Sequence, residues 1–397
     1  MIIGVVPVAL EGGNRGTMVR AEIDLEALRA NLIQVREYLP RGCLLMFVVK
    51  EDAYGHGLRQ VALASQGLVD WYGVADLTEA RLLRRLGLSH PIFIMLPPLG
   101  RALVAAIREG YHLPVGDRDM LAELRAAARR AGRPALVHLA VDTGMGRFGL
   151  LPEEAEQALR ALWGAGQLRV AGVYSHLSSA HTSGRDDIAF TRAQVWKFRK
   201  LLEDWDMRGV DIPFRHLANS AAALAFPEGT APPFNMVRVG TAIYGYPEGP
   251  QPPAFPLRPV ARVWTEVAAV RQLPPGWPVG YERCYVTPGP GRVAVLAAGY
   301  SHGLRQGLER VAIRDGHAPL VGKIAMDTAM ADVSGLGRVK RGDRALLFGP
   351  GVRSFAGWVC PYLVPVLLSA RRRWLPPRSA TSAPSPVRPE ARRAPPL

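Results

Sequence analysis

The sequence predicts an α/β protein with two domains, an N-terminal (β/α)8 TIM barrel followed by a smaller, mostly antiparallel β domain. Eight short apolar segments alternate with helical segments up to about residue 250. Beyond the Pro-rich stretch 246–259, the helical period disappears and short strands separated by Gly, Pro and Asp turns replace it. The predicted domains are a barrel over 19–250 and a β domain over 251–374, flanked by an extension (1–18) and a disordered Pro/Arg-rich tail (375–397).

The barrel is predicted from the spacing and the length of the apolar runs, because runs of four to eight residues between helical segments are typical of buried parallel strands. The predicted barrel strands are 44–49, 71–74, 92–96, 112–115, 136–141, 168–174, 214–217 and 236–239. The clearest helices are 24–37, 58–66, 77–86, 119–131 and 187–207. The strands of the second domain are predicted at 261–271, 293–298, 311–314, 320–324, 330–333 and 344–348.

Composition narrows the class of protein. The 397 residues are 48% hydrophobic and 21% charged, as in ordinary globular proteins. The net charge of +15 does not predict nucleic-acid binding, because the segment 371–397 alone holds seven Arg against one Glu, and the other basic residues are spread over helix faces. No apolar run is long enough for a membrane helix.

The number and spacing of the cysteines indicate whether the protein works in a reducing or an oxidising compartment. Cys43, Cys284 and Cys360 form no C-x-x-C pair, so neither a disulfide framework nor a zinc site is expected, and a reducing cytoplasm is favoured. Residues 1–10 lack the basic start and the small-residue cleavage site of a signal peptide. Translation could begin at Met1 or at Met18.

The most informative stretch begins where the first barrel strand ends. An apolar run stops at Lys50 and passes into a loop that carries Tyr54, His56 and two glycines. A lysine at such a position is partly desolvated, which lowers its pKa and leaves free amine able to form a Schiff base with an aldehyde cofactor. The alternative is a lysine that caps a strand and extends to water.

Polar residues follow other strands as well. They are Asp142 to Arg147, His176, Asn219 with Ser220, and Arg238 with Gly240. Because active-site residues of (β/α)8 barrels lie at the carboxyl ends of the strands, these side chains are expected to converge with Lys50 on one rim.

At this point the chain resembles the alanine racemase family over about residues 20–374. Lys50 with Tyr54-Gly55-His56-Gly57 is similar to the family's cofactor-lysine motif, and 142–147 (DTGMGR) to its substrate-side loop. The segments 216–220 and 235–240 are similar to its cofactor-anchoring strands. Gly280-Tyr281, Gly299-Tyr300, Gly322 and Met326-Asp327 follow in the family's order.

The resemblance implies a pyridoxal 5'-phosphate (PLP) enzyme that interconverts L- and D-alanine, with D-alanine supplied for peptidoglycan. It implies Lys50 and Tyr281 as catalytic bases on opposite faces of the substrate, with the tyrosine donated across a homodimer. It implies substrate contacts from Arg147, Tyr300, Met326 and Asp327. The implied cofactor-binding residues are Lys50, Tyr54, His176, His216, Asn219, Ser220, Arg238, Gly240, Thr241 and Tyr362.

Several positions depart from the family pattern. Glu51 and Asp52 stand beside Lys50, and such carboxylates raise the pKa of a neighbouring amine. Ala140 replaces a lysine that positions the substrate-binding arginine in many members. His302 and Leu363 replace acidic residues, so local hydrogen bonds could be lost. These departures leave two alternatives open: a racemase for another amino acid, or a PLP-binding homologue with weakened catalysis.

Overall fold

The computed structural model describes residues 18–162, 166–349, 352 and 360–376. The first half of the chain runs β1 (Arg20–Asp24), α1 (Leu25–Tyr38), β2 (Leu44–Val48), α2 (Lys50–Tyr54), α3 (Leu58–Ser65), β3 (Trp71–Val74), α4 (Leu77–Arg85), β4 (Ile92–Ile94), α5 (Gly100–Arg108), β5 (His112–Val115), α6 (Arg118–Ala131), β6 (Ala135–Ala140), α7 (Pro152–Leu162), β7 (Leu168–Tyr174), α8 (Arg185–Met207), β8 (Phe214–His216), α9 (Ser220–Ala225) and β9 (Met236–Val239).

The second half is mostly strands, among which short 3₁₀ turns lie at Tyr281–Arg283 and Tyr300–His302. The elements are β10 (Ala261–Leu273), β11 (Pro278–Val279), β12 (Tyr285–Val286), β13 (Gly291–Leu296), β14 (Arg310–Ile313), β15 (Gly316–Val321), β16 (Ala329–Asp332), β17 (Arg344–Phe348), α10 (Cys360–Ser369) and β18 (Arg371–Leu375).

Strands β2 to β9 form a closed parallel barrel in sequence order. Their apolar side chains point alternately into the barrel and towards the surrounding helices, so Met46, Trp71, Phe93 and Met236 form a separate cluster of buried residues. Aspartates cap three of the helices: Asp24, Asp76 and Asp117 each accept a hydrogen bond from a backbone N–H in the first turn of α1, α4 and α6. The predicted fold class is confirmed.

The second domain is a largely antiparallel sheet in the order β13-β16-β15-β14-β17-β10-β1-β18, with an extra pairing between β13 and β10. Strand β1 pairs with β10 and with β18, so the segment 20–24 contributes to this sheet, although the predicted barrel domain began at residue 19. A five-residue strand carries no pattern that says which sheet it will join. The extension 1–17 and the tail beyond 376 lie outside the described residues.

The strands β1, β11, β12 and β18 and the helices α5 and α7 were not predicted from the sequence. A strand was predicted at 320–324, whereas β15 begins at Gly316 and ends at Val321. None of the helices in the described part of the chain has the length and apolar character that crossing a lipid bilayer requires.

Candidate active site

Lys50 is half-buried directly after strand β2 and begins the short turn α2. Glu51, Asp52, Ala53 and Tyr54 all have φ between 53° and 55°, so this turn is left-handed. Four consecutive non-glycine residues in that region are strained by about 1–2 kcal/mol each. The surrounding structure must therefore hold the turn, and strain of this kind is concentrated at functional sites.

Two carboxylates of the first domain fix the turn. Glu79 of α4 accepts hydrogen bonds from the Asp52 N–H and the Ala75 N–H, both at 2.8 Å. Asp52 Oδ1 accepts the Leu58 N–H at 2.7 Å, at the start of α3. Asp52, which departs from the family pattern, thus has a structural role beside Lys50.

A polar cradle lies next to the turn. The Ser220 hydroxyl accepts the Gly240 N–H at 2.9 Å. A Cβ at Gly240 would lie 2.8 Å from the Tyr54 hydroxyl, so only glycine leaves this space open. Thr241 is buried beside it. Hydroxyls and backbone N–H groups are what a phosphate requires, so the residues present fit the phosphate of PLP.

Asn219 has a different arrangement. Its side chain accepts the Ala222 N–H at 3.0 Å and caps helix α9. Its predicted contact with the cofactor stays a prediction. The side chain of Tyr362 lies outside the described residues.

Arg238 is 3% exposed and its guanidinium is held on several sides. Its Nη1 bonds to His216 Nδ1 at 2.9 Å, and its Nη2 donates to Ser175 O at 2.8 Å and lies 3.2 Å from His176 Nδ1. The Tyr174 ring faces it at 5.3 Å. Burial lowers the pKa of Arg238 to about 10, so it remains a cation at neutral pH.

His176 lies among positive charges. Burial, and then the positive charges of Arg238, Arg147 and Lys50, lower the pKa of His176 to about 3. Of the predicted site residues, Arg238 is therefore in direct contact with His176, and the charges of Arg147 and Lys50 also act on it. His176 is a neutral imidazole there.

Two further histidines extend this network and were missed by the sequence analysis. His138 Nδ1 lies 2.8 Å from His216 Nε2, and His138 Nε2 lies 3.0 Å from His112 Nδ1. Gly172 leaves room for the His138 ring, since a Cβ there would be 2.4 Å from it. The sequence does carry a signal for His138, because it is a histidine within the otherwise apolar run of β6, on the face that points into the barrel.

The substrate-side loop is ordered by Asp142, which accepts three backbone hydrogen bonds, from Gly144, Met145 and Gly146 at 2.7–2.8 Å. Arg147 is exposed at the end of this loop. Ala140 is buried at the end of β6 and offers Arg147 no polar partner.

The predicted residues of the second domain lie on an open surface. Tyr281 is 69% exposed, Tyr300 54% and Met326 60%, and Asp327 is exposed as well. The structure brings two of them together, because the Tyr300 N–H donates to Ala325 O at 2.9 Å and the Ser301 N–H to Met326 O at 2.8 Å. Beside Tyr281, Glu282 forms an ion pair with Lys323 at 2.5 Å.

Two departures from the family pattern have local explanations. His302 Nδ1 accepts the Gly299 N–H at 3.2 Å, so the histidine supplies an acceptor in its own turn. Leu363 is 1% exposed in α10, where an apolar side chain packs in the core. Helix α10 lies against both the α2 turn and the Tyr300 turn, and so connects the two parts of the site.

A half-buried lysine at the mouth of the barrel, a cradle of hydroxyls and backbone N–H groups, and the buried Arg238 together fit a PLP-dependent enzyme built on a barrel and a β domain. The model of the alanine racemase N-terminal domain matches residues 23–248, and that of the C-terminal domain matches 260–370.

Relatives and solved structures agree. The chain is 36% identical over 338 residues to an alanine racemase of Desulfovibrio desulfuricans, covering 83% of this chain and 89% of the relative. It is 38% identical over 349 residues to one of Streptomyces coelicolor, covering 84% and 87%. The solved alanine racemase of Streptomyces coelicolor A3(2) superimposes with a TM-score of 0.79 at 34% identity, covering 90% of this chain and 98% of that chain.

The chain belongs to the alanine racemase family. It is an isomerase that interconverts L- and D-alanine with PLP as cofactor.

Proposed function

We propose that Lys50 and Tyr281 are the two acid–base groups of the racemisation and act on opposite faces of the alanine α-carbon. Inversion requires that one group remove the α-proton and that another deliver a proton to the other face. Lys50 supports the first role because it is half-buried, and a strained turn fixes it at the mouth of the barrel. This placement of Lys50 carries the proposal.

Tyr281 supports the second role through its exposure. At 69% exposed, it is covered only in small part by the described residues of its own chain, and Tyr300 and Met326 are exposed on the same domain. Large apolar and aromatic side chains exposed together are typical of an interface. We therefore propose a homodimer in which Tyr281 of the partner subunit faces Lys50.

The remaining residues hold the reactants. PLP, when bound, supplies a sink for the electrons that the departing α-proton leaves behind. Tyr54, Ser220, Gly240, Thr241 and Tyr362 would hold its phosphate, and His176 would lie against its ring. His216 and Asn219 act more indirectly: His216 orients Arg238, and Asn219 shapes the cradle through its helix cap.

Arg238 would favour racemisation over side reactions. A guanidinium has only donors, so it cannot accept a hydrogen bond from a protonated ring nitrogen of the cofactor. The network of His216 and Ser175 keeps this cation in place. By disfavouring protonation of that nitrogen, Arg238 would limit electron withdrawal by PLP and so favour return of the proton to the α-carbon.

Substrate selection would take place between the two domains. Arg147 would bind the alanine carboxylate, and the loop ordered by Asp142 presents its guanidinium. Tyr300, Met326 and Asp327 would line the other side of the substrate.

The cellular role that we propose is the supply of D-alanine for peptidoglycan, in the cytoplasm. Free thiols at buried Cys43 and exposed Cys284 fit a reducing compartment. Growth of a D-alanine auxotroph on expression of this chain, without added D-alanine, would support this role, and failure to grow despite active enzyme would contradict it.

The test of the mechanism is incubation of the PLP-loaded protein with L-alanine in heavy water. The proposal expects D-alanine that carries deuterium at the α-carbon. Exchange of the α-proton without inversion would mean that one base works alone. A weakened PLP-binding homologue would show neither, and conversion of a different amino acid in a substrate panel would indicate another specificity.

A further inference from the structure

The edge strand β18 of the second domain reaches the segment 50–57, which we call the lysine turn. Arg372 forms an ion pair with Asp52 through Nη1 and Oδ2, and the same Nη1 donates to Gly55 O at 2.8 Å. The Arg372 side chain is 21% exposed and that of Asp52 is 37% exposed. The pair is thus partly shielded from water, where an ion pair is stronger than on an open surface.

Trp374 makes a second contact from the same strand. Its Nε1 donates to His56 O at 2.7 Å. Its ring covers Gly57, because a Cβ at Gly57 would lie 2.7 Å from the indole. Arg372 and Trp374, two residues apart on β18, thus contact both ends of the segment 52–57 of the lysine turn.

Strand β18 is itself fixed. It pairs in parallel with β1 over Arg20–Asp24, and β1 pairs with β10 in the middle of the second sheet. The sheet and the lysine turn are therefore connected through Arg372 and Trp374. A shift of the second domain would be transmitted to Lys50, at the start of this turn.

The lysine turn needs such support. Its left-handed backbone is unfavourable for Glu51, Asp52, Ala53 and Tyr54. Asp52 also stands two residues from Lys50, and an unpaired carboxylate there would favour the protonated amine. Arg372 both holds the backbone through Gly55 and balances the charge of Asp52.

We propose that Arg372 and Trp374 are positioning residues for the racemisation, which hold the lysine turn so that docking of the second-domain sheet sets the placement and protonation of Lys50. This inference rests on the proposed role of Lys50. It adds residues from the last described strand, which touch the turn and not the substrate.

The test uses the full-length, PLP-loaded enzyme with the variants Arg372→Met, Asp52→Asn and the double variant. The matched control is Arg81→Met, because Arg81 and Glu109 form an ion pair between α4 and α5 away from the lysine turn. Arg372→Met should lower kcat by about ten- to a hundredfold with little change in KM, since small displacements of a reacting group have effects of this size.

If Arg372 acts by balancing the charge of Asp52, removing that carboxylate should restore part of the activity lost in Arg372→Met. Asp52→Asn removes the unpaired carboxylate, so kcat of the double variant should exceed that of Arg372→Met. The pH midpoint of the visible absorption of the bound cofactor should shift upward in Arg372→Met and return in the double variant. A double variant that is slower than Arg372→Met, with no shift of the midpoint, would overturn this role of Arg372.

Hydrogen exchange of the segment 50–58, measured without added PLP, tests the placement independently of activity. Exchange should be faster in Arg372→Met and unchanged in Arg81→Met. Equal exchange and equal kcat in the two variants would overturn the inference, and so would lost activity without faster exchange. If the wild type does not racemise alanine but exchange still rises only in Arg372→Met, the proposed function fails while the support of the turn stands.

Trp374→Phe is the second variant in case Arg372→Met does not fold. It keeps a ring over Gly57 but removes the hydrogen bond to His56 O. Exchange at 50–58 should rise by less than in Arg372→Met and kcat should fall severalfold. Wild-type exchange and kcat in Trp374→Phe would overturn the role of the tryptophan.

Discussion

The two halves of the proposed site differ in how much of their surroundings one chain supplies. At the barrel mouth, Arg238 is nearly fully buried and bonded to His216, Ser175 and His176. On the second domain, Tyr281 is more than two-thirds exposed. The contrast is what the proposed homodimer requires, in which one chain supplies the cofactor side and a second chain covers the other side.

The physical reason lies in what each half must do. A buried cation must be paired or hydrogen-bonded, so the Arg238 network is closed within the barrel. An exposed tyrosine needs no partner in the free chain and can be buried on association. The following predictions test this contrast, beginning with the largest expected effect.

Lys50→Ala would remove the central residue of the barrel half. Racemisation should fall by about 10³-fold or more, because both the anchor of the cofactor and one acid–base group are lost. Initial rates in both directions measure this loss. Lys197→Ala is the control, because Lys197 is exposed on α8, and an active Lys50→Ala enzyme would contradict the assignment.

Tyr281→Phe tests the open half. It should lower kcat by about 10²- to 10³-fold while PLP binding stays intact, since only the phenol is removed. Steady-state rates together with the visible spectrum of the bound cofactor give both values. The control is Tyr38→Phe on α1, and loss of cofactor from Tyr281→Phe would place the tyrosine in the cofactor half instead.

Mixing the two inactive variants tests whether the halves come from different chains. Co-refolded Lys50→Ala and Tyr281→Phe should recover about a quarter of wild-type activity, because half of the dimers would be mixed and each would hold one intact site of two. Activity after mixing is compared with that of each variant refolded alone. No recovery, although mixed dimers form, would mean that each site is built from a single chain.

The pH dependence of stability should come from the barrel domain, which holds the buried histidines. Burial lowers the pKa of His56 to about 4 and of His112 and His176 to about 3, and burial and neighbouring positive charges hold the pKa of His138 and His216 well below the usual value. The unfolded chain, with histidine pKa near 6.5, then binds more protons than the folded one.

Stability is therefore fully present above about pH 6.5 and is lost as the pH falls from there towards about 3. Each buried histidine should remove about 1.4 kcal/mol per pH unit below 6.5. Urea unfolding at pH 7.5 and 5.5 measures the slope, which His112→Asn should reduce and His317→Asn, at an exposed position of the second domain, should leave unchanged. Equal stabilities of the wild type at the two pH values would contradict the expectation.

Much of the fold could be predicted because its signals are local. All eight barrel strands were found in order, and Lys50 was found at the end of the first of them. The left-handed turn that follows could not be predicted, because Glu51, Ala53 and Tyr54 have no preference for positive φ. The turn is imposed by Glu79 and Arg372, which are distant in sequence.

The alternation of strands and helices, the change to a β domain and the family motifs can be read from the amino-acid sequence, because hydrophobic periodicity and motif spacing are properties of neighbouring residues. The joining of β1 to the second sheet, the extension of the Arg238 network by His112 and His138, and the contact of β18 with the lysine turn are visible only in the folded chain. Each of these depends on contacts between distant segments, and packing fixes them only when the whole chain has folded.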